Sequence, residues 1–142
     1  MSKLRTLSYL KQKPGCEEYL NSVQNISDRI ALTRFRLSNH NLMIEKGRHQ
    51  NMNLYDRSCP FCHIQIEDEF HFLIKCKTYK NLREHLLDRI KTVSFGSYYP
   101  RDEWFLFWFL LTNPIIVHLS AHFIKLAMDL RAFLLDNPRN TT

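Results

Sequence analysis

Four side chains in this 142-residue sequence have the types and spacing of a metal site: Cys59-Pro-Phe-Cys62, then His71, then Cys76. Tetrahedral zinc takes four soft or borderline donors converging on one point, with Zn–S near ~2.3 Å and Zn–N near ~2.0 Å. A CxxC turn aims two thiolates at a common centre while its backbone N–H groups hydrogen-bond the sulfurs. The other two donors must come from an element folded back over that turn. Four protein donors close the coordination shell, which marks a structural ion; a catalytic one keeps a position for water. One Zn2+ is therefore the cofactor this spacing predicts. The competing uses are a CxxC redox couple, which fits poorly because no βαβ pattern surrounds the pair, and ordinary buried thiols. His63 is the nearest alternative nitrogen, but it adjoins Cys62 and would strain the loop as a ligand. Cys16 has no companion at metal spacing and reads as a small buried hydrophobe.

The element that must position His71 and Cys76 is the stretch Ile66 to Ile74, read as a short helix with Glu67 or Asp68 at the positive end of its dipole. Cys76 lies about 140° around an ideal helix from His71, so the helix must tighten or end near Lys75 for both to reach one ion. Three thiolates and one imidazole on Zn2+ leave a net negative charge, which Lys75 and Lys77 are placed to offset.

Around this knuckle the apolar periodicity is helical. Two short pieces, carrying Leu4, Leu7, Leu10 and then Tyr19, Leu20, Val23, are broken at Pro14-Gly15. Ser27 is the N-cap candidate for a helix over 28–38, with Ile30, Ala31, Phe35 and Leu37 inward and Arg29, Thr33 and Arg36 on the polar stripe. LMIEKGRHQNMNLYDRS reads as a polar, basic connector. A helix starting near Tyr79 puts Tyr79, Leu82, Leu86, Ile90 and Val93 on one face, with Lys80, Arg83, Glu84 and Asp88 outward. SFGSYYPRD is a linker, and Asp102 caps a short helix of almost pure bulk, WFLFWFLL. Another helix starts at Ile115, its stripe being Ile115, Leu119, Phe123, Leu126, Leu130 and Phe133, and stops at Asn137-Pro138. The fold class is mainly α, with helices around a small Cys-Cys-His-Cys knuckle. Its segments are a helical N-terminal part with basic connector (1–58), the knuckle (59–76), a helix (77–93) and a C-terminal helical hairpin (94–142).

Apolar residues make up 44 % of the chain, with only 3 Gly and 5 Pro, which supplies a core and argues against a many-turned β-sandwich. Lys and Arg outnumber Asp and Glu by 20 to 14, a net charge of +6 that attracts polyanions. The basic, interrupted N-terminus lacks the apolar stretch of an export signal. The most apolar run, Trp104 to Leu111, falls far short of the ~20 residues a bilayer requires, so no membrane partner is expected. Cysteines without an export signal imply a reducing, intracellular compartment, nuclear or cytoplasmic. His118 and His122 share a helical face but have no third donor, and they read as solvated. No nucleophile motif frames any Ser, His or Asp, and the chain is not expected to be an enzyme.

The segments RIALTRFRLSNHNLMIEKGRH, DRSCPFC, IEDEFHFLIKC and YKNLR together resemble the zinc-binding region found C-terminal to the reverse transcriptase of non-LTR retrotransposons. The resemblance runs from about Lys3 to Leu87 and is most specific between Arg29 and Arg83; the tail from residue 94 is similar more loosely. It implies the ligand set Cys59, Cys62, His71 and Cys76, and a non-catalytic role gripping RNA or single-stranded DNA beside a polymerase. The polymerase itself does not carry over, since no Tyr-x-Asp-Asp motif occurs, and the resemblance implies a truncated copy or a repurposed C-terminal piece. Arg34, Arg36, Lys46, Arg48 and Arg57 before the knuckle, and Lys75 and Lys77 after it, are the candidate phosphate contacts. Phe61 is the candidate for stacking on a base, with His40, His49 and Tyr55 as further planes. Charge pattern alone favours a solvated face, with Phe61 packed over the metal; the resemblance turns the reading towards binding. The other function class is a zinc-stabilised protein–protein interaction module, with self-association or docking through the 104–111 helix if that run is not simply core.

Overall fold

The computed structural model describes residues 5–10, 15–94 and 99–140. Leu4, Pro14 and residues 95–98 of the expected linker lie outside these. Among the described residues the chain is helical, with no strand and a single antiparallel bridge, Ser58 to Ile66. The helices are α1 (Arg5–Leu10), α2 (Tyr19–Ser22), α3 (Ile26–Arg36), α4 (Met43–His49), α5 (Lys80–Val93), α6 (Glu103–Thr112) and α7 (Val117–Asp136). The long α7 is the hub, packed by α2, α3, α5 and α6. Cys16, expected inside, is exposed just before α2.

Asn25, not Ser27, caps α3: its side-chain oxygen accepts the Asp28 N–H at 3.0 Å. The buried stripe is Asp28, Leu32, Phe35 and Arg36, while Ile30 is 46 % exposed. The helix is turned relative to the sequence reading because Arg36 is drawn inward. Its guanidinium donates to the Leu111 carbonyl at 2.8 Å and to Glu17 Oε2 at 2.9 Å, and lies 4.5 Å from the centre of the Tyr19 ring. A charged group that ties off a helix-end carbonyl and meets a carboxylate and an aromatic face is stable inside where a bare one is not.

The expected connector contains α4. Its start has no local side-chain cap; instead Met43 N–H donates to Glu67 Oε2 at 2.8 Å and Ile44 N–H to the Glu67 carbonyl at 3.1 Å. Gly47 lies under the Arg57 stem, where a Cβ would come within 2.5 Å of Arg57 Cγ. Arg57 in turn donates to the carbonyls of Met52 and Ile44 and so closes the end of this segment.

The C-terminal half follows its sequence pattern more closely. Leu86 and Ile90 of α5 are buried behind Tyr79, with Leu82 and Val93 at the margin. Asp102 caps α6, accepting from the N–H groups of Trp104 and Phe105 at 3.0 and 3.1 Å. Leu106, Phe107, Leu110 and Leu111 of α6 are core, whereas Trp104 and Phe105 are exposed. The chain then bends by 102° into α7, a corner rather than an antiparallel pair. No single helix among the described residues is long and apolar enough to cross a membrane. α7 buries Val117, Leu119, Ser120, Ala121, Phe123, Ile124, Ala127 and Arg131, so Leu119 and Phe123 of the expected stripe are core, while Ile115, Leu126 and Phe133 of that stripe are exposed. Small residues carry much of that face, and they admit α3 closely where bulkier ones would hold it off.

Arg131 is buried opposite Glu67, their side chains 6 % and 1 % exposed. Nε and Nη2 of Arg131 reach Oε1 and Oε2 of Glu67, both at 2.8 Å, a two-pronged pair between α7 and the segment that leads into the metal site. Removing one partner of such a pair strands a charge, whereas removing both does not. Arg131→Met should therefore cost about 3–5 kcal/mol in denaturant unfolding, and Glu67→Gln added to it should recover most of that loss. A single-variant loss below about 1 kcal/mol would show the pair to be solvated.

Candidate metal centre

The loop that carries Cys59 and Cys62 is pinned at its base by backbone. Cys59 N–H donates to the Gln65 carbonyl at 2.9 Å and Glu67 N–H to the Arg57 carbonyl at 3.0 Å, on either side of the Ser58–Ile66 bridge. His63 N–H closes the tip onto the Cys59 carbonyl at 3.0 Å, with His63 in the left-handed region at φ 57°. The N–H groups of Phe61 and Cys62 point at the Cys59 sulfur, and those of Ile64 and Gln65 at the Cys62 sulfur. His63 itself is exposed and outside the donor cluster.

The second pair comes from a turn that widens instead of tightening. Asp68 caps it, accepting the His71 N–H at 2.8 Å. From His71 to Lys75 the backbone is π-helical, and Cys76 N–H donates to the His71 carbonyl at 2.7 Å. A π-turn bonds residue i to i+5. It therefore stacks the two ligands on one side, where an α-turn would splay them. Phe72, beside the ligand histidine, enters the core against Phe35, Tyr79 and Phe123 at centroid distances of 5.8, 4.7 and 6.3 Å. The ligand turn is thus anchored by a core residue.

The donor atoms of Cys59, Cys62, His71 and Cys76 all lie within 4.8 Å of one another, close enough to hold one metal ion. The Cys59 and Cys76 sulfurs are 3.8 Å apart, and the Cys62 sulfur is 3.5 Å from His71 Nε2. His71 Nδ1 donates to Gln65 Oε1 at 2.9 Å, which leaves Nε2 with its lone pair aimed at the sulfurs. The thiols share protons unequally. Cys76 is held far below the usual thiol range, first by the hydrogen bond from Cys59, with His71 and Thr78 adding to it. Cys59 is pushed up by the same bond and by burial. Burial would lower His71, but the thiolate character of Cys76 and Cys62 outweighs it and raises the ring.

Arg83, expected to face outward on α5, is a cation that faces this charge. Its Nε donates to the Leu73 carbonyl at 2.7 Å and its Nη2 to the carbonyls of Cys76 and Phe72 at 3.0 and 3.3 Å. Burial lowers its basicity and the Cys76 sulfur raises it. Arg83 thus ties off the end of the ligand turn and faces its charge together. Lys75, assigned that role from sequence, pairs with Glu103 at 2.5 Å; Lys77 is exposed.

The other expected contacts divide. Arg34 and Lys46 are exposed; Arg48 is half-buried and bonded to Glu45 Oε2 at 2.9 Å. The guanidiniums of Arg36 and Arg57 are occupied by carbonyls inside the fold. Phe61 is half-buried and packs edge-on against Tyr79 at 6.4 Å. His40 bonds to buried Glu69 at 2.8 Å, while Tyr55 is 84 % exposed. His122 bonds to Asp28 at 3.1 Å, and the cluster of metal donors does not extend to it or to His118. No family model, curated protein or solved structure matches the chain.

Gln65 is exposed and its side chain touches the site through the His71 ring, so truncating it removes the orienting bond while its backbone contacts remain. Gln65→Ala should leave helicity unchanged and weaken metal binding about 10–100-fold, measured by competition against a chromophoric chelator. Affinity within about twofold of the original would mean that packing alone orients the ring.

Proposed function

We propose that this protein is a non-catalytic zinc module that serves as an accessory holding unpaired RNA or single-stranded DNA. The observation that carries the zinc reading is the size of the donor cluster. A Zn–S bond of about 2.3 Å and a Zn–N bond of about 2.0 Å give tetrahedral edges of about 3.8 Å between sulfurs and about 3.5 Å from sulfur to nitrogen. Two of the six donor–donor distances, 3.8 and 3.5 Å, match these edges, and all four donors lie within 4.8 Å of one another. Three thiolates and an imidazole select zinc over oxygen-seeking magnesium or calcium. Four protein donors leave no position for a substrate or an activated water, which supports a structural role for the ion.

The nucleic-acid reading rests on the net charge of +6, on the exposed Arg34, Lys46 and Lys77, and on the resemblance to the retrotransposon zinc-binding region. The competing reading, a protein-docking module, is favoured by the exposed Trp104 and Phe105 of α6 and by Ile115 beyond it, 57, 69 and 63 % accessible.

Two measurements test these readings. Metal analysis of protein purified without chelating tags should give about one zinc per chain, and Cys76→Ser should abolish it. Stripping the ion should unfold the centre, since structural zinc contributes roughly 10–16 kcal/mol in small modules. A Cys76→Ser protein that still carries zinc would overturn the ligand set. Anisotropy on a short single-stranded RNA across a salt series should show a steep slope of log K against log salt. Replacing Arg34 and Lys46 with Ala should flatten it by about 1.4, at about 0.7 for each phosphate contact. Unchanged affinity in that variant, with zinc retained, would put the docking reading ahead.

A further inference from the structure

A groove follows α5 and α7 for about two turns and shares no residue with the metal cluster. On α5 it is lined by Leu82, His85, Leu86 and Arg89, at i, i+3, i+4 and i+7, so one whole face of that helix belongs to it. His118, Leu119, His122 and Phe123 supply the α7 side. At one end the groove widens into a pocket of 310 Å³, where Gln24, Asn25 and Asp28 join Arg89, His118 and His122. That volume is at the small end of the ~300–1,000 Å³ typical of ligand sites. The other end is a hole of 80 Å³ among Leu82, Leu86, Leu119 and Phe123.

Three of the chain's seven histidines, His85, His118 and His122, stand in this groove, all exposed and none a metal donor. Arg89 is exposed beside them, with no ion pair or hydrogen bond among the described residues. Neighbouring charges on the same helices are matched: Lys80 with Glu84 at 3.7 Å, Lys91 with Asp88 at 3.5 Å, and Lys125 with Asp129. Asp28 is the one carboxylate among the described residues that line the groove. It accepts from His122 Nδ1 at 3.1 Å, which holds that ring and leaves its Nε2 without a partner among them. Guanidinium and imidazole groups both donate hydrogen bonds and offer flat faces, the two means by which an unpaired nucleotide is held. The side-chain amides of Gln24 and Asn25 add groups of the kind that meet base edges. A docked helix would bring apolar anchors at i, i+3 or i+4 and i+7, whereas the groove has one apolar hole with room for a single small side chain. A metal ion would need donors closer together, since the cluster of metal donors among the described residues includes none of these histidines.

We propose that the α5–α7 groove seats one unpaired nucleotide of a bound single strand, with Arg89 at a phosphate and the base in the pocket bounded by His118 and His122. The proposal rests on the nucleic-acid reading and adds a built seat to the exposed Arg34, Lys46 and Lys77. The zinc-loaded full chain should be titrated with a short fluorescein-labelled oligouridylate across a salt series. Lys91→Ala is the control, removing the same charge from a paired position on α5. Arg89→Ala should weaken binding about fivefold at about 0.1 M salt and flatten the slope of log K against log salt by about 0.7, the loss of one phosphate contact. His118→Ala should weaken binding about fivefold or more with a smaller change of slope, as lost stacking does. Lys91→Ala should stay within about twofold, and zinc content and helicity should be unchanged in all three variants. A chain that binds no single strand at all ends the nucleic-acid reading and this seat with it. Binding that Arg89→Ala and His118→Ala both leave within about twofold overturns the seat alone. So does an equal loss in Lys91→Ala, which would reduce the role of Arg89 to net charge. Equal binding of a labelled acidic peptide, lost in Arg89→Ala, would make the groove a dock for an acidic protein and overturns the proposal too.

Discussion

One buried carboxylate, Glu67, sets the relative placement of three parts of this molecule. Its oxygens receive the first N–H of α4 and both prongs of the Arg131 guanidinium, and its backbone carbonyl receives the next α4 N–H. An unpaired carboxylate at that depth would be strongly unfavourable, so Arg131 must face it. This fixes the rotation of α7. With Arg131 inward, Ala127, Ile124, Ala121 and Val117 lie on the buried face and Leu126 and Phe133 lie outside. Burial lowers the basicity of Arg131, but the hydrogen bonds and charge of Glu67 outweigh it and raise the guanidinium overall. The larger apolar side chains of α7 would give a different rotation; the ion pair prevails because stranding a charge costs more than exposing a leucine.

The Cys-Cys-His-Cys cluster solves a spacing problem with backbone. His71 and Cys76 are five positions apart, which is wrong for one face of an α-helix and right for a single π-turn. Widening a turn leaves carbonyls poorly served at its end, and Arg83 takes three of them. The same guanidinium faces the thiolate charge, so one side chain stabilises both the backbone distortion and its electrostatic consequence. Phe72 holds the turn to the core.

Features encoded locally are the ones legible in the sequence. The clustering of Cys59, Cys62, His71 and Cys76 can be read because thiols and imidazole at metal spacing have few other uses in a small helical chain. The Asp102 cap and the face of α5 can be read because side chain and partner lie within a turn or two of each other. What escapes a sequence reading depends on residues far away. α4 has its cap 24 residues on. Arg36 is inside because its carbonyl partner lies 75 residues away, and Arg131 because Glu67 lies 64 residues back. An arginine's pattern on a helical wheel says that it is polar; only the tertiary fold says whether a partner waits beneath it. Arg83, seven residues from its ligand cysteine, is the nearest of these to a local signal. The π-turn is half legible: the angular mismatch shows in the spacing, but its resolution by widening rather than tightening does not.

The remote cap of α4 has a consequence for the order in which the chain can fold. A seven-residue helix is far below the ~12–15 residues at which an isolated helix becomes even marginal in water. During synthesis α4 leaves the ribosome 24 residues before the carboxylate that starts it, and that carboxylate leaves 64 residues before the arginine that neutralises it. The contacts that close the N-terminal half are therefore complete only once α7 has been made. In a nascent chain halted before α7, α3 lacks the helix against which it packs most extensively.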